Sequence, residues 1–279
     1  MARALNIFQG AFGRVAVLQM SHSLVMHAHP HCHVLIKLGG ADGAFNVRDA
    51  HCPLSDDSVV LVNAWEPHAY LHQPSATGTL ILALYIQPEW LAGFERVLEA
   101  SGSPDFFPAP VGSIGAGVRR SAAELAEAMS RETEDQCRLD RLVALMVTIA
   151  EQFSEWPERR GGTTHGLRPR DFRIRKALAF MQGNIGAGFT LRDVARQSGI
   201  SRSHLFHLFQ NDLKLSPNLY FNSLRVEKAV ERLAVGAEPL TCVSGALGFS
   251  MQSHFTRFFR NNLGVSPSEY RRGVTLAPA

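Results

Sequence analysis

The sequence is poor in cysteine, in charge and in long apolar runs. Only four cysteines occur in 279 residues (Cys32, Cys52, Cys137 and Cys242), widely spaced and with no Cys-x-x-Cys pair. That excludes a disulfide framework and points to a reduced, cytoplasmic chain. The longest apolar run, 80–86 (LILALYI), is far below the ~20 residues a membrane helix needs, so no membrane partner is expected. The N-terminal stretch has no uninterrupted apolar core followed by a small-residue cleavage site, so no signal peptide is expected. Charged residues make up 19% and hydrophobic residues 46%, which excludes long disordered segments and rod-like coiled coils. The length admits one large domain or two of medium size.

The small net charge of +3 hides an asymmetry. From Arg168 onward there are 16 Lys and Arg against 7 Asp and Glu, whereas residues 1–167 hold 12 basic and 18 acidic side chains. A basic end on an acidic remainder predicts a polyanion-binding domain attached to a different module. Histidine divides the other way, with eight of twelve in the first 72 residues. Between the halves, 156–170 (WPERRGGTTHGLRPR) is rich in Gly, Pro and charge and lacks apolar periodicity. It reads as a linker, giving domains at 1–155 and 171–274.

The first half reads as short strands followed by helices. VAVLQM, SLVMHAH, HVLIKLGG, AFNV, SVVLVN and TLILALYI are β-rich and separated by turn signals such as GGADG and LSDDS. Closely spaced short strands predict a small barrel or sandwich. Helices are expected over WLAGFERVLEA, 117–130 and 139–155. In the last, Leu139, Leu142, Met146, Ile149 and Phe153 fall at alternating steps of three and four, a narrow seam. Two uses stay open for it, a homodimer contact or packing on its own domain.

The chemical feature of this half is its histidines. His27, His29, His31 and His33 alternate along an expected strand and so share a face, and His68 follows later. Neutral imidazoles brought together can bind a divalent metal or hydrogen-bond a polar ligand. MHAHPHCHVLIKLGG and VNAWEPH resemble the two motifs of the cupin family. The resemblance makes His27 and His29 the His-x-His pair, puts His33 where cupins carry Glu, and makes Gly40 the motif glycine and His68 the second-motif histidine. The missing glutamate argues against the oxygenase or isomerase chemistry of metal cupins. Cys32 and Cys52 are further soft donors, although Cys32 alternates with the histidine face. His22, His51 and His72 read equally well as surface residues.

The second half contains a repeat. Residues 205–220 (LFHLFQNDLKLSPNLY) and 255–270 (FTRFFRNNLGVSPSEY) share six identical positions, so the unit is duplicated. Gly199-Ile200-Ser201 and Gly248-Phe249-Ser250 match at a spacing of forty-nine rather than fifty, so one residue is inserted in the second copy. Each copy reads as helix, turn, helix. Gly199 and Gly248 end one helix in the left-handed conformation, and Ser201 and Ser250 are the expected N-caps of the next. Leu205, Leu208 and Phe209, and in the second copy Phe255, Phe258 and Phe259, are the expected buried positions. A longer helix from about Pro217 to Val235 joins the copies, capped by Ser216. At ~1.5 Å per residue it is roughly 28 Å long, close to the ~34 Å between successive major-groove faces.

LRDVARQSGISRSHLFHLF, SPNLYFNSLRVEKAVERL and GALGFSMQSHFTRFFRNNLGVSPSEYRR resemble the AraC/XylS family of bacterial transcription regulators. The departures are Ser244 for Ala, Lys214 for Gly, and His207 for Arg. The resemblance implies base-facing Ser203, Phe206 and His207 in the first unit and Gln252, Ser253, Thr256 and Arg257 in the second. Arg257 suits a bidentate pair with guanine, Gln252 suits adenine, and Phe206 suits a thymine methyl or extra core. Arg202, Arg260, Arg271 and Arg272 read as phosphate contacts.

The expected protein is thus α+β and has two domains. A cupin-like N-terminal barrel with flanking helices binds an effector near His27, His29, His33 and His68, and an all-α C-terminal domain binds double-stranded DNA. The family resemblance also implies RNA polymerase as a partner and activation more often than repression. The main expectation is a cytoplasmic, non-enzymatic regulator responding to a small molecule of unknown identity. A metal-responsive regulator using the histidines is the alternative. A metal-dependent cupin enzyme tethered to DNA is the weaker one, with Glu66 its only candidate base.

Overall fold

The strands of the first half are almost unbroken apolar runs because both faces of their sheet are covered. The computed structural model describes residues 3–74, 77–91, 106–131, 133–154 and 171–277. Its first ten elements are β1 (Arg3–Gly10), β2 (Gly13–Met20), β3 (Cys32–Gly40), β4 (Gly43–Val47), β5 (Ala50–Leu54), β6 (Ser58–Val62), β7 (His68–Leu71), β8 (Thr79–Ile86), β9 (Val111–Ser113) and α1 (Ala116–Ser130). α2 (Asp135–Phe153) completes the N-terminal domain.

With β10 (Val274–Leu276), from the end of the chain, a seven-stranded sheet runs β10-β1-β2-β8-β3-β6-β9, and a three-stranded sheet runs β5-β4-β7. Alternate residues of the large sheet face opposite ways. Leu35, Val60, Val62, Ile81 and Ala83 meet Phe45, Val47, Leu54 and Tyr70 of the small sheet. Val34, Ile36, Val59, Leu61, Leu82 and Leu84 meet Leu125, Leu142, Met146 and Ile149 of α1 and α2. The expected closed barrel is therefore two sheets. The edges of the large one end on short β9 and β10 and do not pair with each other. The expected strand over SLVMHAH is also absent, apart from an isolated bridge between His27 and His68. Pro30, which lacks a backbone donor, interrupts the segment before β3 begins.

The seam on α2 is spent inside its own domain. Leu142, Met146 and Ile149 are fully buried against the large sheet and α1, with Leu139 and Phe153 packed at the margin. A dimer contact through these five residues is thereby corrected, because a face already covered offers no apolar surface to a second copy. The expected linker at 156–170 lies outside the described residues, as does the expected helix beyond Leu91. Among the described residues no helix is long and apolar enough to cross a membrane.

The second half is helical: α3 (Phe172–Gly183), α4 (Leu191–Gln197), α5 (Arg202–Leu213), α6 (Pro217–Val235), α7 (Leu240–Ala246), α8 (Gln252–Leu263) and α9 (Pro267–Gly273). The chain then runs directly into β10, which pairs in parallel with β1 through Ile7↔Val274, Phe8↔Thr275 and Gln9↔Leu276. The end of the helical domain is thus stitched into the N-terminal sheet.

Candidate functional site

Two helix-turn-helix units stand at the two ends of α6. In the first, Thr190 and Asp193 form a capping box that starts α4. Gly199 turns the chain at φ 69°, and Ser201 Oγ accepts the His204 N–H at 3.2 Å to start α5. Val194, Ala195, Leu205, Leu208 and Phe209 close the core. That packing leaves Ser203 and His207 exposed and Phe206 half-buried. The Arg202 guanidinium lies 5.6 Å from the Phe206 ring centre, and the Asn211 side-chain amide donates to the His207 ring.

The second unit repeats this plan. Gly248 turns at φ 76°. Val243, Leu247, Phe255 and Phe259 are buried, with Phe258 only partly so. Gln252, Ser253 and Arg257 are exposed and Thr256 is half-buried. One expectation fails. The N-cap of α8 is Met251, with no side-chain cap bond, and not Ser250. α5 and α8 start fifty residues apart and the turn glycines lie forty-nine apart, so the inserted residue sits in the second turn and pushes Ser250 one place too early. Arg202, Arg260 and Arg272 are exposed, whereas Arg271 is half-buried with Nε and Nη2 enclosed. Arg225, whose guanidinium lies 4.4 Å from Phe221 and 4.8 Å from Phe249, ties α6 to the second turn.

The histidines gather where the two sheets meet the helical domain. His27, His29, His31, His33 and His68 are all buried. Ring centres lie 4.3 Å apart for His27–His68, 4.8 Å for His29–His68 and 4.9 Å for His29–His33. Three rings have Nδ1 next to a backbone carbonyl: His27 to Val25 at 2.8 Å, His29 to His31 at 3.1 Å and His68 to Glu66 at 2.8 Å. A carbonyl can only accept, so each of these Nδ1 atoms carries the proton and each Nε2 presents a lone pair. One ring nitrogen from each of His27, His29 and His68 lies within 4.8 Å of the others. Burial first, and then the neighbouring imidazoles, hold the pKa values of His29, His33 and His68 well below the ordinary histidine range. Neutral imidazole is the form that binds a metal ion, so the donor set fits the divalent metal that the cupin resemblance implies.

The other candidate donors are elsewhere. Cys32 lies on the helix-covered face of the large sheet, where burial pushes its thiol up to about 12. Cys52 packs between the sheets. His51 is exposed, and His22 and His72 are half-buried. Glu66 is engaged, accepting from the Asn63 backbone at 2.8 Å and pairing with Arg48 at 2.8 Å, so it is not a free base.

A family model described as a helix-turn-helix domain matches residues 194–273. The raffinose operon regulator RafR of Pediococcus pentosaceus is 30% identical over 100 residues, covering 36% of each chain. The chain thus spans about a third of that relative's length. The transcriptional activator RhaS of Klebsiella pneumoniae is 23% identical over 274 residues, covering 96% of this chain and 95% of its own. The fold matches that of unsaturated fatty acid bound ToxT from Vibrio cholerae at a TM-score of 0.58 and 14% identity, covering 99% of this chain and 95% of ToxT. Residues 194–273 are thus a helix-turn-helix domain, and the chain is similar to AraC-type transcription regulators. Its N-terminal sheets and C-terminal helices follow the two-domain fold of ToxT.

Sequence reasoning missed the contacts by which the chain joins its halves. Arg14 on β2 donates to Glu227 on α6, Nη1 to Oε2 at 3.2 Å and Nη2 to Oε1 at 3.4 Å. Burial opposes the charge on both groups, but their mutual attraction outweighs it, lowering the Glu227 pKa and raising that of Arg14. His31 does not join the cluster. Its Nδ1 lies 3.9 Å from Glu227 Oε1, and burial lowers its pKa to about 4. The Trp65 N–H donates to the His29 carbonyl at 2.7 Å, and the Trp65 ring lies 5.2 Å from that of Tyr220 on α6. The Val25 N–H donates to the Asn261 carbonyl on α8 at 3.1 Å. No local pattern announces such contacts, since Arg14 and Glu227 are 213 residues apart.

Proposed function

We propose that the protein is a sequence-specific, double-stranded-DNA-binding transcription regulator whose N-terminal domain binds an effector at the histidine cluster. The observation that carries this reading is the pairing of two helix-turn-helix units on one continuous 19-residue helix, each with a reading helix buried on one face and exposed on the other. Arg257 pairs with guanine and Gln252 with adenine, with Ser253 and Thr256 beside them. Ser203, Phe206 and His207 read the neighbouring groove. Arg202, Arg260 and Arg272 hold phosphates and so fix register. Arg271 contributes less, because two of its nitrogens are enclosed.

The similarity to RhaS favours activation, with RNA polymerase as the partner that the family implies, and a cytoplasmic setting. That ToxT was solved with an unsaturated fatty acid bound supports a ligand-responsive role for this two-domain fold. An enzymatic role has no support from Glu66, whose carboxylate is already committed.

The test is binding to duplexes selected from a random-sequence pool. Arg257→Ala should cost about 1–3 kcal/mol on the selected sequence and relax preference at one base pair. Unchanged sequence preference would remove α8 from the groove.

A further inference from the structure

We infer that the N-terminal ligand is a divalent transition-metal ion, held by the Nε2 atoms of His27, His29 and His68. The inference deepens the regulator reading and rests on it only in calling this ion the effector.

The first support is tautomeric. Each of the three rings has its Nδ1 proton tied to a backbone carbonyl: Val25 for His27, His31 for His29 and Glu66 for His68. Metal-binding histidines are oriented in this way, the far nitrogen anchored and the near one bare. The second support is a mismatch of donors and acceptors. His33 Nδ1 lies 3.0 Å from His29 Nε2 and 3.4 Å from His68 Nε2. A neutral His33 carries at most one proton there and so serves only one of these two lone pairs, while a ring nitrogen of His27 lies within 4.8 Å of the ligand nitrogens of His29 and His68. The opposite nitrogen of His33 is itself buried without a partner. A cation resolves this arrangement, because it needs lone pairs and no donors.

Geometry and chemistry narrow the ion. Tetrahedral nitrogens at ~2.0–2.1 Å from zinc lie roughly 3.4 Å from one another. The ligand nitrogens within 4.8 Å reach that spacing by small ring rotations. An all-imidazole set suits Zn²⁺, Co²⁺, Ni²⁺ or Cu²⁺ and not Mg²⁺ or Ca²⁺, which prefer oxygen. Three protein ligands leave a fourth position, within reach of His33 Nδ1.

The site also touches the DNA-binding half. The same segment that carries His27 and His29 gives Val25 to the end of α8, buries Ala28 in the core of the first helix-turn-helix unit, and holds Trp65 against Tyr220 at the start of α6. Trp65 is held at φ 65°, a conformation that costs a bulky residue energy. Drawing His29 toward an ion pulls directly on the carbonyl that Trp65 holds.

The experiment uses the full chain, freed of metal with EDTA and titrated with Zn²⁺ by calorimetry and with Co²⁺ by visible and X-ray absorption. The expected result is one ion per chain, three or four nitrogen neighbours and no sulfur in wild-type protein, and at least a hundredfold weaker binding in His29→Gln and His68→Gln. The Cys52→Ser variant should bind as wild type does. No stoichiometric ion, a sulfur neighbour, or equal binding by the histidine variants would overturn the site; the wild-type spectra decide even where a variant does not fold. Binding of Zn²⁺-loaded and Zn²⁺-free protein to the selected duplex is measured separately. A tenfold or larger difference supports the ion as effector, and equal affinities overturn that role. Failure of both forms to bind duplex would end the regulator reading and leave the metal site standing.

Discussion

Removing the charge of Glu227 should destabilise the chain out of proportion to the size of the change. Arg14 has a side chain only 4% exposed, and its partner Glu227 is 23% exposed. The guanidinium also lies 4.0 Å from the centre of the Tyr85 ring, so little water is available to replace the lost carboxylate. Breaking a buried ion pair from one side costs ~3–5 kcal/mol. Two features lower that figure here: the carboxylate is partly wetted, and the contacts of 3.2 and 3.4 Å exceed the ~2.7–2.9 Å of a strong charged bond. Glu227→Gln is therefore expected to cost about 2–3 kcal/mol. Arg14→Met/Glu227→Leu, which removes both charges, should fall within about 1 kcal/mol of wild type. Urea unfolding of the full chain at pH 7.5, followed by circular dichroism, gives both values as midpoints. A single-variant cost below about 0.5 kcal/mol, or a double variant equal to the sum of the singles, would refute the claim that this pair is a coupled, desolvated clasp between the domains.

The inserted residue in the second turn separates two serines that look equivalent. Ser201→Ala should cost about 1 kcal/mol, because it removes a cap, and Ser250→Ala should stay within about 0.5 kcal/mol; thermal unfolding of both checks this. Lys214 ends α5 in the left-handed conformation at φ 56°, where the matching Gly264 sits at φ 79°. Lys214→Gly is expected to raise stability by about 0.5–1 kcal/mol, and a loss would show that the lysine side chain makes compensating contacts. In metal-free protein, stability should fall as pH drops from 7 to 5.5. The folded-state pKa values of His27, His29, His33 and His68 are depressed, so the unfolded chain takes up protons first below its own value near 6.5. The stabilisation is present above that value and is lost on acidification, by up to about 1.4 kcal/mol per pH unit and histidine. A flat pH profile by chemical denaturation would contradict the neutral, buried assignment.

The helical half was legible because its signals are local. Gly199 and Gly248, Ser201, Ser216 with Pro217, and the spacing of Leu205, Leu208 and Phe209 each report on their own turn of chain. The duplication supplied a second copy against which to check them. The N-terminal topology was less legible, since a sheet covered on both faces erases the alternation that marks faces and register. β5, with Pro53 in it, and the four-residue β7 are too short to stand out. The histidines were found as residues but placed on the wrong backbone. They meet because the loop before β3 bridges to His68, and His31 turns away toward Glu227. The α2 seam shows the remaining ambiguity: steps of three and four describe a buried helix face as well as a dimer contact, and only the packing of Leu142, Met146 and Ile149 on the large sheet decides between them.

The most direct measurement of the paired-reader account is hydroxyl-radical footprinting of the full chain on its selected duplex. Two protected patches on one side of the helix, centred about 10–10.5 base pairs apart, with protection at the α8 patch weakened in Arg257→Ala, are the predicted result. A single patch, or two patches on opposite sides of the duplex, would contradict it.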